Sequence, residues 1–202
     1  VATLEHLELE PDTCGDDEQL DVWLSHTPAL KSLQLGGLKE LHLGAPGRLC
    51  FGTQLQRIGL SETMIDAEGL LHFWRTLPHL RALDLSDCPN LEGHSVMRLI
   101  NEPPLSKSVA ELSLARCPQM TSDAATQLCC LCGASLATLD LGGYDDFSAA
   151  DAQRLFETCG PALRDLSLIE NYNTEQTILN EGLALSAEVQ VVQAPEPAHG
   201  PK

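Results

Sequence analysis

The sequence predicts an α/β solenoid of about seven repeats, with a curved parallel sheet on the concave side and mostly helices on the convex side. Three observations predict it. A Leu-x-x-Leu-x-Leu pattern returns along the chain, its first apolar residue falling at Leu4, Leu30, Leu55, Leu80, Val109, Leu136 and Leu163. The spacings of 25 to 29 residues mark stacked units of one strand and one return segment. Apolar residues make up 43% of the 202 residues but aromatics only 4%, so leucine, alanine and cysteine must fill the core, which suits thin stacked layers. Between the strands the apolar period changes from two to that of a helix.

Within each unit the fourth and sixth positions alternate with polar residues. Leu7-Glu8-Leu9, Leu33-Gln34-Leu35, Leu83-Asp84-Leu85, Leu112-Ser113-Leu114, Leu139-Asp140-Leu141 and Leu166-Ser167-Leu168 all fit, and Ile58-Gly59-Leu60 keeps the frame. Alternation of this kind turns the leucines to the buried face of a strand and the residues between them to the other face. The strands should pair in parallel, each beside its neighbour in sequence.

The returns read as helices where apolar residues recur at i, i+3, i+4 and i+7. Leu20, Trp23 and Leu24 form the first such face, then Leu70, Phe73, Trp74 and Leu77, then Val96, Leu99 and Ile100. Ala125, Leu128, Cys129 and Cys132 follow, and then Ala152, Leu155, Phe156 and Cys159. Ser148, with Asp151 three residues on, reads as a helix start. Both tryptophans are read as core. The second return, residues 36–54, is irregular: glycines and Pro46 break any helical period, and Leu38 to Leu43 imitates a repeat start only eight residues after Leu30. That segment is read as an extra strand or a partner-facing irregularity. Residues 101–108 form a smaller insertion in which Pro103 and Pro104 end a helix. After the seventh strand, 174–185 reads as a last helix and 189–192 as a closing strand. Residues 1–192 thus form one domain, followed by a Pro-containing flexible tail at 193–202.

Cysteine stands three residues after the last leucine at Cys88 and Cys117, and four residues before the next strand's leucine at Cys132 and Cys159. On these residues the chain resembles the cysteine-containing leucine-rich repeats, known from F-box/leucine-rich-repeat proteins and the antagonist-of-mitotic-exit family. The resemblance spans residues 4–192. Asp12, Leu38, Thr63 and Tyr144 depart from it at the first cysteine position, while Asn171 there is a common alternative that can bond neighbouring backbone. The resemblance implies a non-enzymatic interaction scaffold or adaptor, a subunit of a larger assembly. It also implies an alternative, the repeat portion of an F-box ubiquitin-ligase substrate receptor. An F-box needs a helical segment ahead of the repeats, which this sequence lacks, so in that reading the chain supplies recognition and not docking.

Composition bears on partners. A formal charge of −17 disfavours phosphate backbones and anionic membranes, which points to protein partners with basic surfaces. No nucleic acid, no membrane insertion and no cofactor is expected. The eight cysteines are read as reduced thiols in an intracellular, reducing compartment. Cys129 and Cys132 have a C-x-x-C spacing suited to zinc, but they occupy helix-core positions and no second pair completes four ligands, so neither is assigned to a metal. No nucleotide-binding loop, zinc-protease motif or nucleophile elbow occurs, and no catalytic residue is assigned. Since the chain opens on a repeat strand, a cap or a partner is expected over that edge.

Two surfaces are candidates for binding. The outward strand positions form a ladder that includes Glu8, Asp84 and Asp140, with carboxylates suited to steering a basic segment, although such a row also reads as a solvated face. The second is a loop edge: Tyr144, Asp145 and Asp146 beside Glu170 and Tyr172, where tyrosines could anchor a partner. Against it, Phe147 is expected to plug the core, as Tyr144 could also do.

Overall fold

The computed structural model describes residues 4–10, 17–39, 54–99, 108–160, 162–169, 171 and 190–192, with backbone alone at 17, 97–99 and 190–192. Eight strands form one parallel sheet in sequence order: β1 (His6–Glu8), β2 (Ser32–Gln34), β3 (Arg57–Gly59), β4 (Ala82–Asp84), β5 (Glu111–Ser113), β6 (Thr138–Asp140), β7 (Asp165–Ser167) and β8 (Gln190–Val192). The register is the one the leucine pattern dictates. Leu7 lies opposite Leu33, and the row continues through Ile58, Leu83, Leu112, Leu139, Leu166 and Val191. The closing strand read at 189–192 is β8.

Among the described residues, five α-helices run on the other side: α1 (Asp17–Ser25), α2 (Ala67–Thr76), α3 (Gly93–Leu99), α4 (Ser122–Cys132) and α5 (Ala149–Cys159). Their apolar stripes close the core from the convex side. Leu20, Leu70, Phe73, Ala125, Leu128, Cys129, Ala152, Leu155 and Cys159 are all at most 1% exposed. Trp74 is buried, and Trp23 packs partly buried against the core. The expected extra strand within 36–54, the insertion from 101, the helix at 174–185 and the tail at 193–202 lie outside the described residues, apart from the ends of the first two segments.

The starts of α2, α4 and α5 are each held by the side chain of the residue just before them. Asp66 accepts from Gly69 N at 2.9 Å, and Thr121 accepts from Ala124 N at 3.3 Å. Ser148 and Asp151 form a reciprocal box in which Ser148 Oγ accepts from Asp151 N at 3.2 Å and Asp151 accepts from Ser148 N at 3.0 Å. The buried Asp151 carboxylate also accepts from the hydroxyls of Ser148 (2.7 Å) and Ser122 (3.1 Å), which ties the start of α5 to that of α4. Ser148→Ala is therefore expected to cost about 1–2 kcal/mol, read as a lower denaturant midpoint with an unchanged slope.

The strands leave the sheet through one recurring turn. Two residues past the last leucine, Gly37, Glu62, Asp87, Arg116 and Gly143 all have φ between 54° and 83°, the left-handed region that favours glycine. Three of the five are not glycine, because the turn is over-determined by its hydrogen bonds. Gly37 N donates to Ser61 O, Glu62 N to Ser86 O, Asp87 N to Ala115 O, Arg116 N to Gly142 O and Gly143 N to Ile169 O, all at 2.8 or 2.9 Å. This extends the parallel ladder beyond the strands, and it turns the next residue inward.

That inward residue stands at the first cysteine position of each repeat. Leu38, Thr63, Cys88, Cys117, Tyr144 and Asn171 occupy it, and all are at most 3% exposed. Four of them donate to the carbonyl of the last leucine in the preceding unit. Cys88 Sγ donates to Leu60 O and Cys117 Sγ to Leu85 O, both at 3.1 Å. Tyr144 Oη donates to Leu114 O, and Asn171 Nδ2 donates to Leu141 O at 2.8 Å. In these four units the position supplies a buried donor, which need not be a cysteine, and a buried carbonyl left without a partner costs about 1–3 kcal/mol. Thr63 donates to the carbonyl of Leu60 in its own unit at 2.7 Å. Leu38 has no donor to offer.

Candidate functional site

Because Leu7 to Leu166 point into the core, the residues on either side of each strand centre face the concavity in two rows. One runs His6, Ser32, Arg57, Ala82, Glu111, Thr138 and Asp165; the other runs Glu8, Gln34, Gly59, Asp84, Ser113, Asp140 and Ser167. Across β2 to β6 these rows enclose a groove of about 220 Å³, lined by Gln34, Arg57, Asp84, Glu111, Ser113 and Asp140 among others. A cavity of this size is below the roughly 300–1,000 Å³ usual for small-molecule sites, and is suited instead to single side chains of a partner.

Arg57 reaches across β4 to Glu111 on β5, with Nη1 donating to Oε1 at 2.9 Å and Nη2 to Oε2 at 2.7 Å. This fork-to-fork pair lies over Ala82, the register partner of both residues. The Glu111 carboxylate holds the Arg57 guanidinium above its ordinary pKa range through that hydrogen bond. Each side chain remains about half exposed, so the pair shapes the groove wall more than it stabilises the fold. It also neutralises the arginine of the concave rows, leaving Asp84 and Asp140 as the carboxylates of the groove.

These two aspartates have a structural task as well. Asp84 Oδ1 accepts from Ser86 N at 3.0 Å and from Ser86 Oγ at 2.7 Å, and Asp140 Oδ1 accepts from Gly142 N at 3.1 Å. In both cases the strand's outward carboxylate caps the turn that follows it. Ser86 Oγ in turn meets Ser113 Oγ at 2.6 Å. Glu8 is exposed on β1, one strand beyond Gln34 at the edge of the groove, and does not line it itself.

The loop edge is different from the sequence expectation. Tyr144 is 3% exposed and its hydroxyl is spent on the Leu114 carbonyl inside the core, while burial pushes the phenol well above its ordinary pKa. It is therefore not a surface anchor: the left-handed turn at Gly143 drives it inward, as it drives the cysteines of other repeats. Phe147 is buried as expected. Asp145 and Asp146 are exposed, but the Asp146 carboxylate accepts from Ser122 N at 3.3 Å and its carbonyl accepts from Ser122 Oγ at 3.1 Å, so it serves the N-terminus of α4. Glu170 and Tyr172 lie outside the described residues.

Among the described residues, the thiols divide into two kinds. Burial pushes Cys88 and Cys132 up to about 12 and Cys117 to about 11, and raises Cys129 as well. Such thiols are unreactive at neutral pH. Cys130 is the exception. It is partly exposed on α4, and a hydrogen bond from the Cys159 thiol brings it down to about 6 against the opposing effect of burial, with Thr158 and the Arg154 charge assisting. With limiting iodoacetamide at pH 7, Cys130 is expected to be labelled ahead of Cys88, Cys117, Cys129 and Cys132, as peptide mapping would show.

The parallel ladder, the leucine register and the convex helices define a leucine-rich-repeat solenoid. Among solved structures, the chain is similar to one in the crystal structure of the Rad7 and Elc1 complex in yeast, with a TM-score of 0.59, 19% identity, and 87% of this chain covering 50% of that one. It is also similar to one in the crystal structure of the TLR13–ssRNA13 complex, with a TM-score of 0.49, 22% identity, and coverage of 73% and 22%. The chain thus spans half the length or less of these solved chains. No protein-family model and no curated protein matches the sequence. Among the described residues, no helix is long and apolar enough to cross a membrane.

Proposed function

We propose that the chain is a non-enzymatic protein–protein interaction scaffold of the cysteine-containing leucine-rich-repeat type, acting as a subunit of a larger intracellular assembly. Its concave face takes an extended basic segment of a partner protein. The observation that carries this reading is the groove across β2 to β6, where Asp84 and Asp140 stand beside the small side chains of Ala82, Ser113 and Thr138 and Arg57 is already tied to Glu111. An incoming lysine or arginine would find carboxylates and little bulk to displace, and the formal charge of −17 would speed its approach.

The test is affinity purification of the tagged chain with zero-length carboxylate-to-lysine cross-linking. Cross-links from partner lysines to Asp84, Glu111 or Asp140 are expected. The Asp84→Asn, Asp140→Asn pair should weaken recovery about tenfold, equivalent to roughly 1.4 kcal/mol, whereas the convex Glu157→Gln should leave it unchanged. Recovery of the chain alone, or equal recovery of all variants, would count against the proposal.

A second reading rests on the likeness of fold to a chain of the Rad7–Elc1 complex. In it the chain is the repeat portion of a ubiquitin-ligase substrate receptor, and the concave face recognises the protein to be modified. An F-box encoded upstream in the full-length gene would support it.

A further inference from the structure

We infer that Cys130 and Cys159 form a peroxide-oxidisable dithiol that closes into a disulfide across the seam between α4 and α5. The inference stands on how the two helices meet. Cys130 lies near the end of α4 and Cys159 is the last residue of α5. Cys159 is fully buried, yet its Sγ reaches to 3.6 Å of the Cys129 carbonyl, the peptide group that leads into Cys130. Cys130 Sγ points back toward α5, at 4.0 Å from Arg154 O. Each sulfur thus lies against the backbone of the helix that carries the other, with Cys130 partly open to solvent and Cys159 buried beneath it.

The surrounding groups assign the roles. Around Cys130 stand the Cys159 and Thr158 donors and the Arg154 cation, which is itself paired with Asp123; the neighbouring Cys129 and Cys132 are held as neutral thiols by burial. Cys130 is therefore the thiolate. The Cys159 thiol is pushed up, first by its hydrogen bond to Cys130 and then by burial, so its proton stays in place until Cys130 has reacted. That is the order in which an attacking and a resolving thiol act.

The oxidant is a peroxide. The Cys130 thiolate attacks one peroxide oxygen, the O–O bond breaks, and the departing oxygen leaves as hydroxide or alkoxide and takes up a proton, giving a sulfenic acid at Cys130. The Cys159 sulfur then attacks the Cys130 sulfur. The S–O bond breaks, water leaves with the Cys159 proton, and the S–S bond forms. Two electrons have passed from the two sulfurs to one peroxide. The product would pin the ends of α4 and α5 together, on the convex side and away from the concave groove.

Tryptic peptides decide the matter, because cleavage after Arg116, Arg154 and Arg164 places Cys130 in peptide 117–154 and Cys159 in peptide 155–164. The full chain is reduced, freed of reductant, exposed to a small excess of hydrogen peroxide, alkylated and digested. The two peptides should then appear joined, lighter by two hydrogens than their sum and separable by reduction, with fragmentation locating the bond at Cys130. Cys130→Ser, a change at a partly exposed site, should reduce the joined species at least tenfold while the reduced protein keeps its thermal midpoint. Peroxide that carries Cys130 to a sulfinic acid with no joined peptide would overturn the inference. So would a bond that survives in Cys130→Ser, since it would then run through Cys129 or Cys132.

Discussion

Leu139→Asp is expected to abolish the folded state, or to lower its stability by at least about 4 kcal/mol, while Asp140→Ser changes it by no more than about 1 kcal/mol. Leu139 is 1% exposed and sits in the row of leucines that lie opposite one another from β1 to β7. A carboxylate there has no cation or donor within the layer, and a repeat array passes the damage to both neighbours because each unit folds against the next. Asp140, one residue on, faces the concavity and caps Gly142 N, a bond that a serine hydroxyl can replace. Denaturant midpoints of the two variants measure the difference. Equal losses would mean that the strand is displaced by one residue, since a single-residue slip exchanges the two faces.

Asn171→Leu is expected to cost about 2–4 kcal/mol although it keeps the branched shape of the side chain at a buried site. The Asn171 amide donates to Leu141 O at 2.8 Å and its side-chain oxygen accepts from Tyr144 N at 2.5 Å, joining units six and seven through two backbone groups. Leucine would leave both groups buried without partners, whereas most buried backbone groups in folded proteins are paired. Tyr144→Phe removes only the donor to Leu114 O and should cost about half as much. Chemical denaturation of the two variants side by side is the check. A loss below about 1 kcal/mol for Asn171→Leu would show that the turn satisfies its backbone by another route.

The concave ladder was fully legible in the sequence, because a period of two can be satisfied in only one register once the leucines are buried. The candidate groove on it was only partly so. Asp84 and Asp140 are assigned to the concave face by alternation alone, but the pairing of Arg57 with Glu111 joins residues 54 positions apart and follows from two strands lying on either side of Ala82. Tyr144 shows the opposite failure. Its position in the repeat marks it as a core residue, while its neighbours Asp145 and Asp146 give it the look of an interface anchor. The left-handed residue before it settles the direction, and Glu62, Asp87 and Arg116 are not residue types that announce such a turn. Glycine at 37 and 143 was the available signal, visible only after aligning the repeats.

By itself, then, the sequence determined the order of the described strands, the face each leucine takes, the described helical returns and the helix start at Ser148, all of which follow from periodicity and local chemistry. Only the tertiary structure decided which buried side chains satisfy the carbonyls of the preceding unit, which carboxylates remain over the groove, and which cysteine is exposed beside which. Those choices depend on contacts between successive units, and a pattern along one chain says that units stack without saying which atoms meet.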